Sequence, residues 1–287
     1  MKEHFGRFGI TLIAASTSFA VFAAVEPLPP LQIQPKHPAI STSVSRLIEE
    51  MHYSLPRLDN SLSSAILDQY LDTLDGNRMY FTASDIASFN RLRYELDDRT
   101  RTGDLQPVFD IFNLFRRRAG ERIEYAVSLL ATEPDFTLDE SFQWDRSELP
   151  WPVSDEEINE VWRKSVKSDA LRLVLTGETW AEVAQTLKER YERSYKRITQ
   201  LTTDDVFEMY MNAVAHNMDP HSSYLSPRQS EEYRIQMSLS YDGIGASLQL
   251  EDDYVKVMEI IPGGPAQIDG QLKRDDRITA VGEAGSE

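Results

Sequence analysis

The apolar spacing of this chain changes once, and that change divides what it can fold into. From about Thr42 to Ser240 apolar residues recur three and four positions apart, the period of a helix that buries one face. From Tyr241 they alternate at every second position, the period of a strand. The fold class that follows is a mainly α N-terminal domain over residues 42–240, then a smaller α+β module over 241–287.

Local signals punctuate the helical part. Val44, Leu47, Ile48 and Met51 open the pattern. Leu62, Ile66, Tyr70, Leu71 and Leu74 continue it, and Asp75-Gly76 marks a stop. Thr82-Ala-Ser-Asp85 is a capping box for a helix through Ile86, Phe89, Leu92 and Leu96, ended by Gly103. Asp104 is placed to cap the next, with Val108, Phe109, Phe112, Phe115, Ile123 and Val127 on or near one face. Residues 131–153 break the pattern with Pro134, Pro150 and Pro152. Their aromatics Phe136, Phe142, Trp144 and Trp151 predict a loop that packs by its own side chains. Ser154–Glu157, Thr179–Glu182, Thr202–Asp205 and Ser226-Pro-Arg-Gln229 each read as a helix start. Ser247–Leu250 and Tyr254–Ile260 then alternate as half-buried strands, with Asp252-Asp253 at the turn of a hairpin.

The N-terminus carries an address. Lys2 and Arg7 precede an uncharged, apolar run from Phe8 to Phe22, and small residues follow, with Val21 and Ala23 at the −3 and −1 positions of a cleavage site. Residues 1–23 therefore read as a secretory signal peptide. A membrane anchor is the other reading, but the run is shorter than the ~20 residues a bilayer requires. No cysteine follows to carry a lipid, and no later segment is apolar enough to span a membrane. Residues 24–41, with prolines at 27, 29, 30, 35 and 38, read as an extended arm.

Composition removes several classes of chemistry. A net charge of −17 over 287 residues argues against nucleic acid as a partner. Arg116-Arg117-Arg118, flanked by Glu121 and Glu124, reads as a solvated helix face. The absence of cysteine excludes thiol nucleophiles, disulfides and Cys-ligated zinc. There is no G-x-S-x-G elbow and no S-x-x-K motif. Ser165/Lys167 and Ser194/Lys196 are two apart on helices and point to different faces. His216, Asp219 and His221 are ligand types at short range, yet Pro220 breaks any helix that would converge them, and a helix end with a turn is the favoured reading. Trp144, Trp151, Trp162 and Trp180 read as packing residues. No catalytic residue, metal ligand or cofactor site is assigned.

One motif points to binding. In Tyr241-Asp-Gly-Ile-Gly-Ala246 two glycines around an apolar residue let successive N–H groups face one anion, most naturally a peptide carboxylate. The strand behind it can pair with the peptide, and Ile244 and Leu248 are placed to line a pocket for its last residue. An ordinary glycine turn is the competing reading of the motif alone.

The motif does not stand alone. Asp219-Pro-His-Ser-Ser-Tyr-Leu-Ser-Pro227, Gly243-Ile-Gly-Ala246, Ile261-Pro-Gly-Gly-Pro-Ala266 and Asp275-Asp-Arg-Ile278 together resemble, in order and spacing, the bacterial carboxy-terminal processing proteases. The helical region, including Asn77-Arg-Met-Tyr-Phe-Thr82, looks like the tail-specific protease, or Prc, branch. The resemblance implies that the module is a PDZ domain and that Gly243, Ile244, Gly245, Ala246 and Leu248 bind a peptide C-terminus. It implies a periplasmic parent that cleaves proteins with apolar C-terminal tails by a Ser–Lys dyad, and an adaptor protein that members of the family can use. That dyad has no counterpart in this chain, and the PDZ domain is incomplete at Glu287, so the chain alone is expected to be non-catalytic. Where the family usually has Gly-Asp, this chain has Asp275-Asp276, and Asp tolerates a left-handed turn. A stand-alone tail-binding adaptor and a helical scaffold are the rival functions.

Overall fold

The computed structural model describes residues 28–54, 57–238, 243–251 and 254–282. The signal-peptide run, the Tyr241 boundary and the Asp252-Asp253 turn lie outside the described residues. The chain divides between Pro220 and His221 into two compact units.

The first unit is helical: α1 (Lys36–Met51), α2 (Asn60–Asp75), α3 (Ala83–Phe89), α4 (Leu96–Thr102), α5 (Gln106–Leu129), α6 (Asp155–Val174), α7 (Trp180–Thr199) and α8 (Thr203–His216). The long α5 serves two cores. Along its first half Phe109 and Phe112 are fully buried, and the Val108 carbonyl accepts from the Tyr70 hydroxyl of α2 at 3.3 Å. Tyr70 meets Tyr210 of α8 edge-on at 5.6 Å, the geometry aromatic rings favour. Along its second half Ile123 and Ala126 pack with Ile158, Trp162 and Val166 of α6 and Val183 and Leu187 of α7.

Most of the predicted helix starts close as capping boxes; Ser154–Glu157, read as one, makes only half, since the Ser154 hydroxyl accepts from the Glu157 N–H while the Glu157 carboxylate accepts from the Val153 N–H. Thr82, Thr179 and Thr202 each cap a helix reciprocally with Asp85, Glu182 and Asp205. Other expectations are corrected. The helix read from Thr82 to Gly103 is broken: a 3-10 turn at Asn90–Leu92 and a non-helical Glu95 separate α3 from α4. Asp104 does not cap α5; its carboxylate is taken by Arg99, and Pro107 opens the helix instead. The arm read over 24–41 is helical from Lys36, because Pro38 falls in the first turn, where no intrahelical N–H is needed.

That first turn is anchored by His37, which is fully buried and stacks on Phe207 at 4.5 Å. Its Nδ1 accepts from the Gln34 N–H at 3.3 Å, so Nε2 carries the proton and donates to Asp204 Oδ1 at 2.8 Å. Lys36 and His37 together hold the Asp204 carboxyl below its ordinary range. Replacing His37 with phenylalanine keeps a ring against Phe207 and removes the bond to the carboxylate. Urea denaturation is expected to show a loss of about 2 kcal/mol, the range for a hydrogen bond to a charged group.

The loop 131–153 packs by its own side chains and by polar ties. Phe142 and Trp144 meet edge-on at 5.2 Å, and the Asn77 amide bridges the Trp144 carbonyl and the Arg146 N–H at 3.0 and 2.9 Å. Lys167 and Arg163 of α6 both pair with Glu140. Trp162 is buried with its Nε1–H on the Met79 carbonyl at 2.6 Å, and Trp144 lies under the Arg172 guanidinium at 4.1 Å.

The second unit holds α9 (Pro227–Ser238), β1 (Ala246–Glu251), β2 (Tyr254–Ile260), α10 (Pro265–Asp269) and β3 (Arg277–Ile278). The sequence reading grouped α9 with the helices before it. The three strands form an antiparallel sheet in the order β1-β2-β3. Asp275 adopts φ +70°, the left-handed turn its residue type tolerates, and its N–H bonds the Val257 carbonyl at 2.8 Å. Val257 is fully buried, but β1 is mostly exposed on both faces, unlike the half-buried strand the alternation predicts. Among the described residues no helix is long and apolar enough to cross a membrane.

Candidate functional site

The glycine loop is set by its neighbours. Gly245 has φ +76°, and its Cα lies against Gly264, so close that a Cβ built there would sit 2.9 Å from Pro265 Cδ. The Ile244 carbonyl accepts from the Ala266 N–H and the Gly245 carbonyl from the Ile261 N–H, both at 2.8 Å. The segment Ile261–Ala266 thus pins both carbonyls of the loop. The N–H groups of Ile244 and Gly245 donate to no acceptor among the described residues. Carbonyls tied back and amides left open are the requirements for a backbone anion site.

The loop feeds directly into β1, which pairs with β2 on one side and with no described strand on the other. Opposite Ser247 and Leu248 the register slips by one residue, leaving Met258 of β2 as the extra residue of a bulge just past the loop. Ile244 is 49% exposed and Leu248 45%, so two apolar side chains stand open beside the amides. A free strand edge, open amides and apolar side chains are the elements of β-strand addition with C-terminal capture.

Three of the other sequence candidates, Lys167, Ser194 and Asp219, make structural contacts. Lys167 is buried on Glu140 and the Leu138 carbonyl, and Ser194 accepts from Arg197 at 2.8 Å. Asp219 Oδ2 pairs with His52 Nε2 at 2.7 Å, while His52 Nδ1 takes the Ser54 N–H and hydroxyl. This ties the end of α1 to the turn at Pro220. No group of three metal-ligating side chains occurs among the described residues. The arginine triplet departs from its reading as a solvated face. Arg118 pairs with Asp85 at 3.0 Å, and Arg116 is buried.

The tail specific protease N-terminal domain family matches residues 44–228, and the PDZ domain family matches 232–285. The chain belongs to the tail-specific protease family. It is 35% identical over 280 residues to the tail-specific protease of Haemophilus influenzae, covering 96% of this chain and 40% of that protein. A shorter match, 26% identical over 132 residues, joins it to the carboxy-terminal processing protease CtpA of Bacillus subtilis, covering 42% of this chain and 28% of that one. The chain therefore spans about two fifths of the length of its longer-matching relative. Both relatives are named as proteases, so the family is one of peptidases. The helical unit carries the family's N-terminal domain, and the strand-bearing unit its PDZ module.

Proposed function

We propose that this chain is the N-terminal, substrate-recognising part of a periplasmic tail-specific serine endopeptidase, which degrades or processes proteins bearing apolar C-terminal tails. The observation that carries this reading is the pair of amides at Ile244 and Gly245 that find no acceptor among the described residues, heading a strand whose outer edge pairs with no described strand. A substrate tail adds to β1, its carboxylate sits on the Gly243–Ala246 amides, and its last side chain lies beside Ile244 and Leu248. Backbone pairing gives affinity with little sequence preference, and the carboxylate confines capture to chain ends. Hydrolysis falls to a Ser–Lys dyad outside these residues, and the chain alone is expected to cleave nothing. The signal-peptide pattern of residues 1–23 supports export, and a periplasmic adaptor is a further partner.

The test uses the full-length protease and two peptides with one apolar tail, one ending in a free carboxylate and one amidated. Amidation removes the charge and leaves the strand-pairing groups in place. It is expected to weaken binding at least tenfold by fluorescence anisotropy, since a charge-assisted hydrogen bond to a carboxylate exceeds the 1.4 kcal/mol of a tenfold change. Equal binding of the two peptides would remove the carboxylate site and favour a purely structural role for the loop.

A further inference from the structure

Arg116, one of two buried arginines of α5, belongs to an unassigned feature. Residues 28–34 run along this helix without helical structure of their own, with Leu31 and Ile33 half-buried and Gln32 and Gln34 exposed, the alternation of a strand. Asn113 grips the main chain of a single residue: the Leu31 N–H donates to Oδ1 at 2.8 Å, and Nδ2 donates to the Leu31 carbonyl at 3.0 Å. One turn on, Arg116 Nη1 donates to the Pro29 carbonyl at 3.2 Å. A side-chain amide that takes both the N–H and the C=O of one residue reproduces what a neighbouring strand would offer. It reads backbone, not side-chain identity.

The arm fills this track imperfectly. Arg116 is 6% exposed, yet its Nε finds no acceptor among the described residues. Buried donors are normally satisfied, and an orphan weakens the state that contains it. Pro29 and Pro30 supply no N–H, so over this stretch the arm holds by two residues of main chain and two half-buried side chains. An occupant with a carbonyl or carboxylate at Nε would be held better than the arm is.

We infer that the face of α5 around Asn113 and Arg116 is a binding site for an extended polypeptide segment of alternating apolar pattern supplied in trans, and that Leu28–Gln34 is its resident cis occupant. The ligand class is an unfolded stretch of another protein, recognised through its backbone. The site lies wholly within the helical unit and does not depend on tail capture at Gly243–Ala246.

The experiment compares the intact chain with one in which residues 28–33 are replaced by Gly and Ser, both checked for helix content by circular dichroism. The probe is a fluorescent peptide of sequence Leu-Pro-Pro-Leu-Gln-Ile-Gln, blocked at both ends so that it offers no carboxylate terminus to the glycine loop. It is expected to bind the replaced chain at least tenfold more tightly than the intact one, because no arm competes. Asn113→Ala in the replaced chain is expected to weaken binding tenfold or more. As a check that needs no arm replacement, excess peptide added to the intact chain is expected to speed hydrogen exchange at the Leu31 amide. Equal binding to both chains, binding indifferent to Asn113, or unchanged exchange at Leu31 would each overturn the assignment.

Discussion

Replacing Asp75 with alanine is expected to lower the thermal midpoint of the helical unit by about 10 °C. Asp75 ends α2 and is buried, and its carboxylate accepts three backbone N–H groups in succession: Met79 at 2.7 Å, Tyr80 at 2.8 Å and Phe81 at 2.8 Å. The chain reverses there through Arg78, held at φ +53°, and delivers Phe81 fully buried into the core beside Phe89. Alanine would leave three donors with no acceptor. Three orphans at about 1–3 kcal/mol each sum to roughly 3–9 kcal/mol; because the Met79 and Tyr80 donors are only part-buried and water can reach them, the lower half, roughly 3–5 kcal/mol, is expected, at about 2–4 °C per kcal/mol for a unit of this size. Differential scanning calorimetry measures it; a drop under about 3 °C would mean that water replaces the carboxylate freely.

The same residue gives a pH signature. Burial pushes the Asp75 carboxyl up to about 6, even against the three N–H bonds and the nearby Arg146 charge. The unfolded chain releases that proton near pH 4, so the native state binds it more tightly. The stability from this group is fully present below about pH 4 and is lost as pH rises through about 6. The difference amounts to roughly 3 kcal/mol at about 1.4 kcal/mol per unit. Asp75→Asn cannot ionise. The stability of the native protein relative to this variant is therefore expected to fall across that window and to be flat above it, in urea titrations at stepped pH.

Legibility in the sequence follows the range of the force involved. Helix starts at Thr82, Thr179 and Thr202 could be read because a capping box closes within four residues. Strands Ser247–Leu250 and Tyr254–Ile260 could be read because alternation is local, and both fall inside β1 and β2. Most of the features that escaped depend on how the chain folds back, beyond any single local motif. Asp75 looks like a helix stop, and only the fold brings three N–H groups to it. Arg116 looks like one of a solvated triplet, and only the fold brings the Pro29 carbonyl, 87 residues earlier, to its guanidinium. Pro38 looks like part of an extended arm, although a proline in a first helical turn is favourable. At the glycine loop the residue types were legible. The role of Ile261 and Ala266, which pin its carbonyls and leave its amides open, was not.

That pinning makes Gly245 the most sensitive position of the proposed tail site. Gly245→Val in the full-length protease is expected to weaken binding of an apolar-tailed peptide by a factor of ten to a hundred. At φ +76° an L-residue pays about 1–2 kcal/mol in backbone strain before any contact is counted. The new Cβ would then lie 2.9 Å from Pro265 Cδ and 3.0 Å from Gly264 Cα. The second of these is backbone and the first a rigid ring, so neither yields by a rotamer change, and the loop must move away from Ile261–Ala266. Moving it breaks the bonds from Ile261 and Ala266 that hold the loop, and with it the alignment the proposed site requires of the Ile244 and Gly245 amides. Because 1.4 kcal/mol is tenfold in affinity, the strain and the lost alignment together set the range. Gly245→Ala, with the same φ but no branch at Cβ, is expected to fall between valine and glycine. Melting of the helical unit should not change, since Gly245 lies in the other unit, which separates lost recognition from general unfolding. A Gly245→Val protein that binds tails with native affinity would reduce the glycines to turn residues and leave the helical scaffold as the better account.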